Sequence, residues 1–187
     1  TLSNLKNLKI LHIDFNQISL IDTNSFSSLE LLNDLTMRVN KIKILKLRVF
    51  SKQLKLENLD LSLNQISTIE RNAMPGLNNI LRILRLKHNK IEFIKDHHFP
   101  FMFKLEILDL SYNQISSIEF DSFKDMTNLK EIFLNDNCIF KIDQKFFKNM
   151  QNLILLDLSS NLIVNLKNRD FIYFNNSKLE ILNLEKN

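Results

Sequence analysis

The sequence predicts an α/β solenoid, with a parallel β-sheet on its concave face and irregular, short 3-10 or helical segments on its convex face. Three observations carry this expectation. An apolar pattern closing on an asparagine recurs along the whole chain at a nearly constant interval. Leu and Ile together make 56 of 187 residues, so core-forming side chains are plentiful. One Gly and two Pro are the only strong turn-formers, far too few for a β-sandwich, a Rossmann domain or a phosphate-cradling loop.

The repeat sets the elements in order. Its anchors are Asn16, Asn40, Asn64, Asn89, Asn113, Asn137, Asn161 and Asn187, spaced by 24, 24, 25, 24, 24, 24 and 26 residues. Residues 1–187 therefore read as a single solenoid of about seven full repeats plus the start of an eighth. The first copy runs Leu8, Leu11, Ile13, Asn16, Ile18, Ile21, Phe26; the fifth runs Leu105, Leu108, Leu110, Asn113, Ile115, Ile118, Phe123. Before each Asn the apolar residues alternate with the period of a strand. Leu59 and Leu61 are thus expected to point inward, and Asn58, Asp60 and Ser62 outward. Successive strands should lie side by side about 4.8 Å apart. Each Asn amide, buried where the strand ends, is expected to bond backbone groups of neighbouring coils and so turn the chain without Gly or Pro. The outer side should be filled by a spine of Phe26, Phe50, Met74, Phe99, Phe123, Phe147 and Phe171. One extra residue in 77–81 and two in 174–179 read as bulged loops; the second holds the sequon Asn175-Asn176-Ser177, a candidate glycosylation site.

The pattern LxxLxLxxNxIxxIxxxxFxxLxx, repeated in register over essentially the whole chain, resembles the leucine-rich repeat family in its 24-residue form. Its copies look like those of Toll-like receptors and related cell-surface ectodomains. The resemblance implies a horseshoe-shaped solenoid whose concave face binds partners. Extracellular members usually close both ends with cysteine clusters, and none occur here. The chain is therefore expected to be an uncapped interior fragment of a larger ectodomain.

Enzyme chemistry is not expected. No nucleophile beside a base and no paired carboxylates stand in a pocket-forming pattern. His97 and His98 beside Asp96 are the nearest approach to a metal cluster, and their convex position reads as a solvated loop. Cys138 is alone, so no internal disulfide forms, and it follows Asn137 at a position held elsewhere by Gln, Lys or Leu, as an exposed thiol would. No metal site and no cofactor is implied. No apolar run reaches the roughly 18 residues of a membrane span.

Binding remains. Asp60, Asp109 and Asp157 with Ser62, Ser111 and Ser159 reproduce the common polar strand face. Departures from it are more informative: His12 and Phe15 in the first copy, Arg38 in the second, Arg85, Lys87 and His88 in the fourth, Tyr112 in the fifth, Phe133 and Asn135 in the sixth. Basic and aromatic residues grouped on a solvent face have the composition of interaction hot spots, and these nine are the candidate ligand-binding residues. The formal charge of +4 comes from one coil. Residues 35–56 hold seven basic residues and no acid, leaving 18 basic against 21 acidic elsewhere. Lys41, Lys43, Lys46, Arg48, Lys52 and Lys55 form a weaker candidate polyanion site, because clustered positive charge attracts polyanions in a salt-dependent way. Without stacking aromatics in a groove, sequence-specific nucleic-acid recognition is not expected.

The leading expectation is a non-enzymatic protein-binding module, a segment of an extracellular or cell-surface receptor or adhesion ectodomain. Its partners would be a protein ligand or partner receptor, with homodimer formation a further option. The alternatives are a cytoplasmic scaffold using the same face, and a secreted matrix protein binding an anionic glycan through the basic second repeat.

Overall fold

The computed structural model describes residues 2, 4–167, 171 and 178–187. Among the described residues twelve short strands follow the repeat: β1 (Ile10–His12), β2 (Asp34–Thr36), β3 (Ile44–Leu45), β4 (Asn58–Asp60), β5 (Thr68–Ile69) and β6 (Ile83–Arg85) in the first half. The second half holds β7 (Phe93–Ile94), β8 (Ile107–Asp109), β9 (Ser117–Ile118), β10 (Glu131–Phe133), β11 (Leu155–Asp157) and β12 (Ile181–Asn183). Eight of them form one parallel sheet in the order β1-β2-β4-β6-β8-β10-β11-β12, each strand one coil further along. On the opposite side β3 pairs with β5 and β7 with β9, and 3-10 helices occupy Pro75–Leu77 and Gln144–Phe147. The fold is the expected solenoid, with 3-10 turns and short strand pairs on the convex side and no α-helix among the described residues.

The inward residues sit in stacked rows. Leu35, Leu59, Leu84, Leu108, Ile132 and Leu156 are fully buried and register one to the next across the sheet. Each such side chain contributes roughly 1.5–3 kcal/mol by leaving water. Phe26, Phe50, Met74, Phe99, Phe123 and Phe147 are buried as the outer spine, and Phe171 packs against it half-buried. Phe26 and Phe50 stack face to face, with ring centroids 6.0 Å apart.

From Asn40 to Asn161 the asparagine ladder does what the sequence demanded of it, whereas Asn16 is exposed and bonds within its own coil. Asn113 Nδ2 donates to Leu110 O at 3.0 Å in its own coil and to Leu86 O at 3.0 Å in the coil before, and its Oδ1 accepts from Ile91 N at 3.0 Å. Asn40, Asn64, Asn89, Asn137 and Asn161 repeat the same set. These amides bond backbone groups that neither strand nor helix satisfies.

A second turning device has no signal in the sequence. The residue before each ladder Asn lies in the left-handed region: Phe15, Val39, Leu63, His88, Tyr112, Asp136, Ser160 and Lys186, with φ between 52° and 57°. In all of these except Lys186, the N–H donates to the next coil, as from Val39 to Ser62 O at 3.2 Å and from His88 to Ser111 O at 3.0 Å. Asp and His are the only types among these that favour that backbone region, and β-branched Val39 tolerates it least. Lateral bonding between coils thus holds a conformation that most of the side chains do not favour.

Asp60 and Ser62 line the concave face as expected, although both are little exposed, and Asp60 Oδ1 accepts from Ser62 N at 2.9 Å. Two expectations need correction. His98, expected in a solvated loop, is buried beside Phe99, and its Nδ1 accepts from Lys95 N at 3.3 Å. Burial pushes its pKa down to about 4, helped by His97 and Lys95. The second concerns Gly76, which is needed for space rather than for a turn: a Cβ there would run into Phe50 O.

Candidate functional site

The sheet register decides which concave residues meet. Thr36, Asp60, Arg85, Asp109, Phe133 and Asp157 form one row across β2, β4, β6, β8, β10 and β11. Two residues further along each coil come Arg38, Ser62, Lys87, Ser111 and Asn135, and one beyond those the left-handed positions. A turn that reverses at that last position aims its side chain over the end of the strand. His88 and Tyr112, in adjacent coils, consequently stack with centroids 4.2 Å apart and planes 27° apart.

A depression of about 590 Å³ on this face is lined by Arg38, Asp60, Ser62, Leu63, Arg85, Lys87, His88 and Asp109. It brings together four of the nine residues expected to bind ligand: Arg38, Arg85, Lys87 and His88. Tyr112 borders it through His88 and through Lys87, whose Nζ stands 5.0 Å from the Tyr112 ring centroid in cation–π geometry. The nearby Asp136 carboxylate, with which the phenol hydrogen-bonds, raises the Tyr112 pKa.

The acids of the depression are already engaged. Asp60 lies 3.8 Å from Arg38 Nε and accepts from Ser62 N, while Asp109 Oδ1 accepts from Ser111 N at 3.0 Å and Ser111 Oγ at 2.6 Å. Arg85 Nη1 donates to Asn58 Oδ1 at 3.3 Å, which leaves the rest of its guanidinium edge for a ligand. The arrangement can receive carboxylate or other anionic groups on Arg85 and Lys87, and a flat apolar group against the His88–Tyr112 stack.

The other expected residues lie apart. Phe133 and Asn135 extend the surface on β10 and just beyond it, with Asn135 Nδ2 donating to Asp136 Oδ2 at 2.8 Å. His12 and Phe15 sit on the far side of β2; His12 Nε2 is 3.5 Å from Asp34 Oδ1, and Phe15 is 77% exposed. The basic coil makes almost a full circuit between Arg38 and Lys55, because β2 and β4 are neighbours in one sheet. Its charges are spread accordingly. Lys41 Nζ reaches back to Gln17 Oε1 at 3.1 Å, Lys43, Lys46 and Arg48 surround β3 on the convex side, and Lys52 and Lys55 approach the opposite edge. Asn175 lies outside the described residues. Cys138 is a free, exposed thiol.

The sequence reading missed Asp60, Ser62, Leu63 and Asp109 as walls of the depression. Asp60, Ser62 and Asp109 match the repeat consensus, and Leu63 stands where the copies share no residue type, so nothing in their identity sets them apart; only the register to Arg85 does. Among the described residues no group of three His, Cys, Asp or Glu could hold a metal ion. Likewise no helix there is long and apolar enough to cross a membrane.

Comparison with known proteins agrees with this geometry. A leucine rich repeat profile matches residues 79–139 and 127–187, and a profile of the BspA type leucine rich repeat region matches residues 1–107. None of the curated proteins compared matches the chain. Among solved structures, the chain is similar to TLR13 in the TLR13–ssRNA13 complex, at 29% identity and a TM-score of 0.77 over 84% of this chain and 22% of that one. It is also similar to a leucine-rich-repeat protein of Leptospira interrogans, at 25% identity and a TM-score of 0.85 over 98% of this chain and 44% of that one. Toll in the Drosophila Toll–Spätzle complex shares the fold, at 22% identity and a TM-score of 0.73 over 94% of this chain and 27% of that one. The chain thus spans about a fifth of the TLR13 chain and less than half of the Leptospira protein. With profiles covering more than half of its length and the ladder geometry in place, the chain belongs to the leucine-rich-repeat family, generally a non-enzymatic protein-interaction fold.

Proposed function

We propose that this chain is a segment of an extracellular receptor or adhesion ectodomain that recognises a protein ligand on its concave face. Arg38, Arg85, Lys87, His88 and Tyr112 form the centre of the contact, and Phe133 and Asn135 extend it. The observation that carries the reading is a depression that gathers basic residues beside a His–Tyr stack while the neighbouring acids are internally bonded. The similarity to TLR13 in a complex with ssRNA13 supports a ligand-binding role for a solenoid of this kind. A smaller contribution from anionic glycans rests on Lys43, Lys46 and Arg48, successive basic residues on the convex side of the coil that carries the net charge.

The test combines location and contact. An antibody to the chain is expected to stain intact cells expressing the parent protein, and a photo-crosslinking residue at Phe133 to capture a partner. Arg85→Glu with Lys87→Glu should abolish that capture. Staining only after permeabilisation sinks the extracellular reading; capture that survives the double reversal sinks the concave contact.

A further inference from the structure

One row on the convex side changes character along the chain. Three residues beyond each of the first five ladder asparagines, directly after the inward Ile, stand Ser19, Lys43, Ser67, Glu92 and Ser116. In coils six and seven the same position holds Phe140 and Val164, which are 60% and 82% exposed. Phe120, one coil earlier, is 48% exposed. A protein that keeps this row polar in five coils and then places Phe and Val there, in water, has a patch that isolated surface hydrophobes do not explain.

Two adjoining hollows shape the patch. One, of about 190 Å³, lies between coils five and six against Phe120, Phe140 and Phe146. The other, of about 240 Å³, lies between coils six and seven against Phe140 and Val164. They sit where the convex strand pairing stops: β7 binds β9, and among the described residues no strand pairs with β9 on its other side. Lys141 lines both hollows, and Lys145 Nζ stands 5.2 Å from the Phe120 ring centroid. The acid of the first hollow, Asp143, is engaged in capping the 3-10 helix through Lys145 N at 3.0 Å.

We propose that this convex face of coils five to seven is a second docking surface, which takes an acidic amphipathic segment of a protein partner. Two hollows one coil apart receive two apolar side chains, and Lys141 and Lys145 receive carboxylates beside them. A second copy of this chain is a poor occupant, since an isologous contact would set the same lysines against one another. A flat bilayer is poor as well, since it offers no side chain to enter two separate hollows on a convex wall.

The test uses the chain itself and a synthetic peptide alternating Glu with Phe and Leu, followed by fluorescence anisotropy. A control peptide carries Lys in place of Glu, and phosphatidylserine vesicles are tested by co-sedimentation. The acidic peptide is expected to bind at least tenfold more tightly than its Lys counterpart. Phe140→Ser with Val164→Ser, which restores the residue type of Ser19 and Ser116, should weaken it at least tenfold, and Lys141→Glu should weaken it too. These residues are exposed, so the variants should keep the parent's circular dichroism and melting temperature. Arg85→Glu on the concave face should change nothing, which separates this surface from the proposed ligand site. Equal binding of both peptides overturns the proposal. So does unchanged binding by the double variant, binding of vesicles but not peptide, or self-association that Phe140→Ser abolishes.

Discussion

Replacing Asn113 by Leu isolates what one rung of the ladder is worth. The four contacts of its amide are not equal in consequence. Leu86 O keeps a second donor in Asn89 Nδ2 at 2.9 Å, Leu110 O keeps Asn137 Nδ2 at 3.0 Å, and Ser111 O keeps His88 N at 3.0 Å. Ile91 N has Asn113 Oδ1 as its acceptor, and in the variant it is left buried and unpaired. That orphaned N–H costs about 1–3 kcal/mol, and three carbonyls each losing one of two bonds add roughly a few tenths to 1 kcal/mol apiece. The expected loss is about 3–4 kcal/mol. Asn16→Leu is the internal comparison. Asn16 is exposed and bonds within its own turn, to Ile13 O at 3.1 Å and Asp14 O at 2.8 Å, and Ile13 O also receives Asn40 Nδ2. Its loss should stay below about 1 kcal/mol. Urea unfolding followed by far-UV circular dichroism reads the difference. With a slope of about 2 kcal/mol/M, Asn113→Leu should lower the midpoint by roughly 1.5–2 M and Asn16→Leu by under about 0.5 M. Equal shifts would mean that the ladder amides act by local turn propensity and do not join coils.

Gly76→Ala should destabilise by about 3 kcal/mol or more, at the upper end of overpacking penalties, because the new methyl runs into Phe50 O and meets Ser51 C at 2.8 Å; a midpoint within error of the parent would refute that reading. Val39→Asn should stabilise by about 1 kcal/mol in the same denaturation assay, since Asn accepts the φ of 53° that a β-branched residue resists. Loss of stability in that variant would show that the half-buried isopropyl group matters more than the backbone. His98 predicts acid sensitivity. Its folded pKa of about 4 lies below the unfolded value near 6.5, so the unfolded chain takes up the proton first and stability falls as pH drops from about 6.5 to about 4. The loss should be on the order of 2–3 kcal/mol, and it should be absent from His98→Leu when melting is followed across that range.

Much of this architecture is legible in the chain because the repeat is read seven times over. An inward Leu or a ladder Asn is recognised by its period, and each copy confirms the last. Arg85 and Lys87 stand out for the converse reason: they interrupt a consensus of Asp and Ser, and the sheet register then gathers them with Arg38. The left-handed row is illegible because its occupants, from Phe15 to Lys186, share no chemistry. Their backbone is set by bonds to the following coil, so no local preference announces it. Burial of His98 is hidden for a similar reason. A His-His pair beside Asp looks solvated in one dimension, and the edge-on packing of His98 with His97 and Phe99 appears only in three. Phe140 and Val164 are visible as a break in the polar row, yet the hollows beside them exist only in three dimensions.

The rungs all face one way. The Ile66 amide waits for Asn89, the Ile91 amide for Asn113 and the Ile115 amide for Asn137, so this bond is always supplied by the succeeding coil. During synthesis from the N-terminus, the newest coil to emerge therefore keeps that amide open until about 22 further residues have followed it. A ribosome pausing anywhere along the repeats would present one unfinished edge, always at the growing tip, while the rungs behind it were already closed.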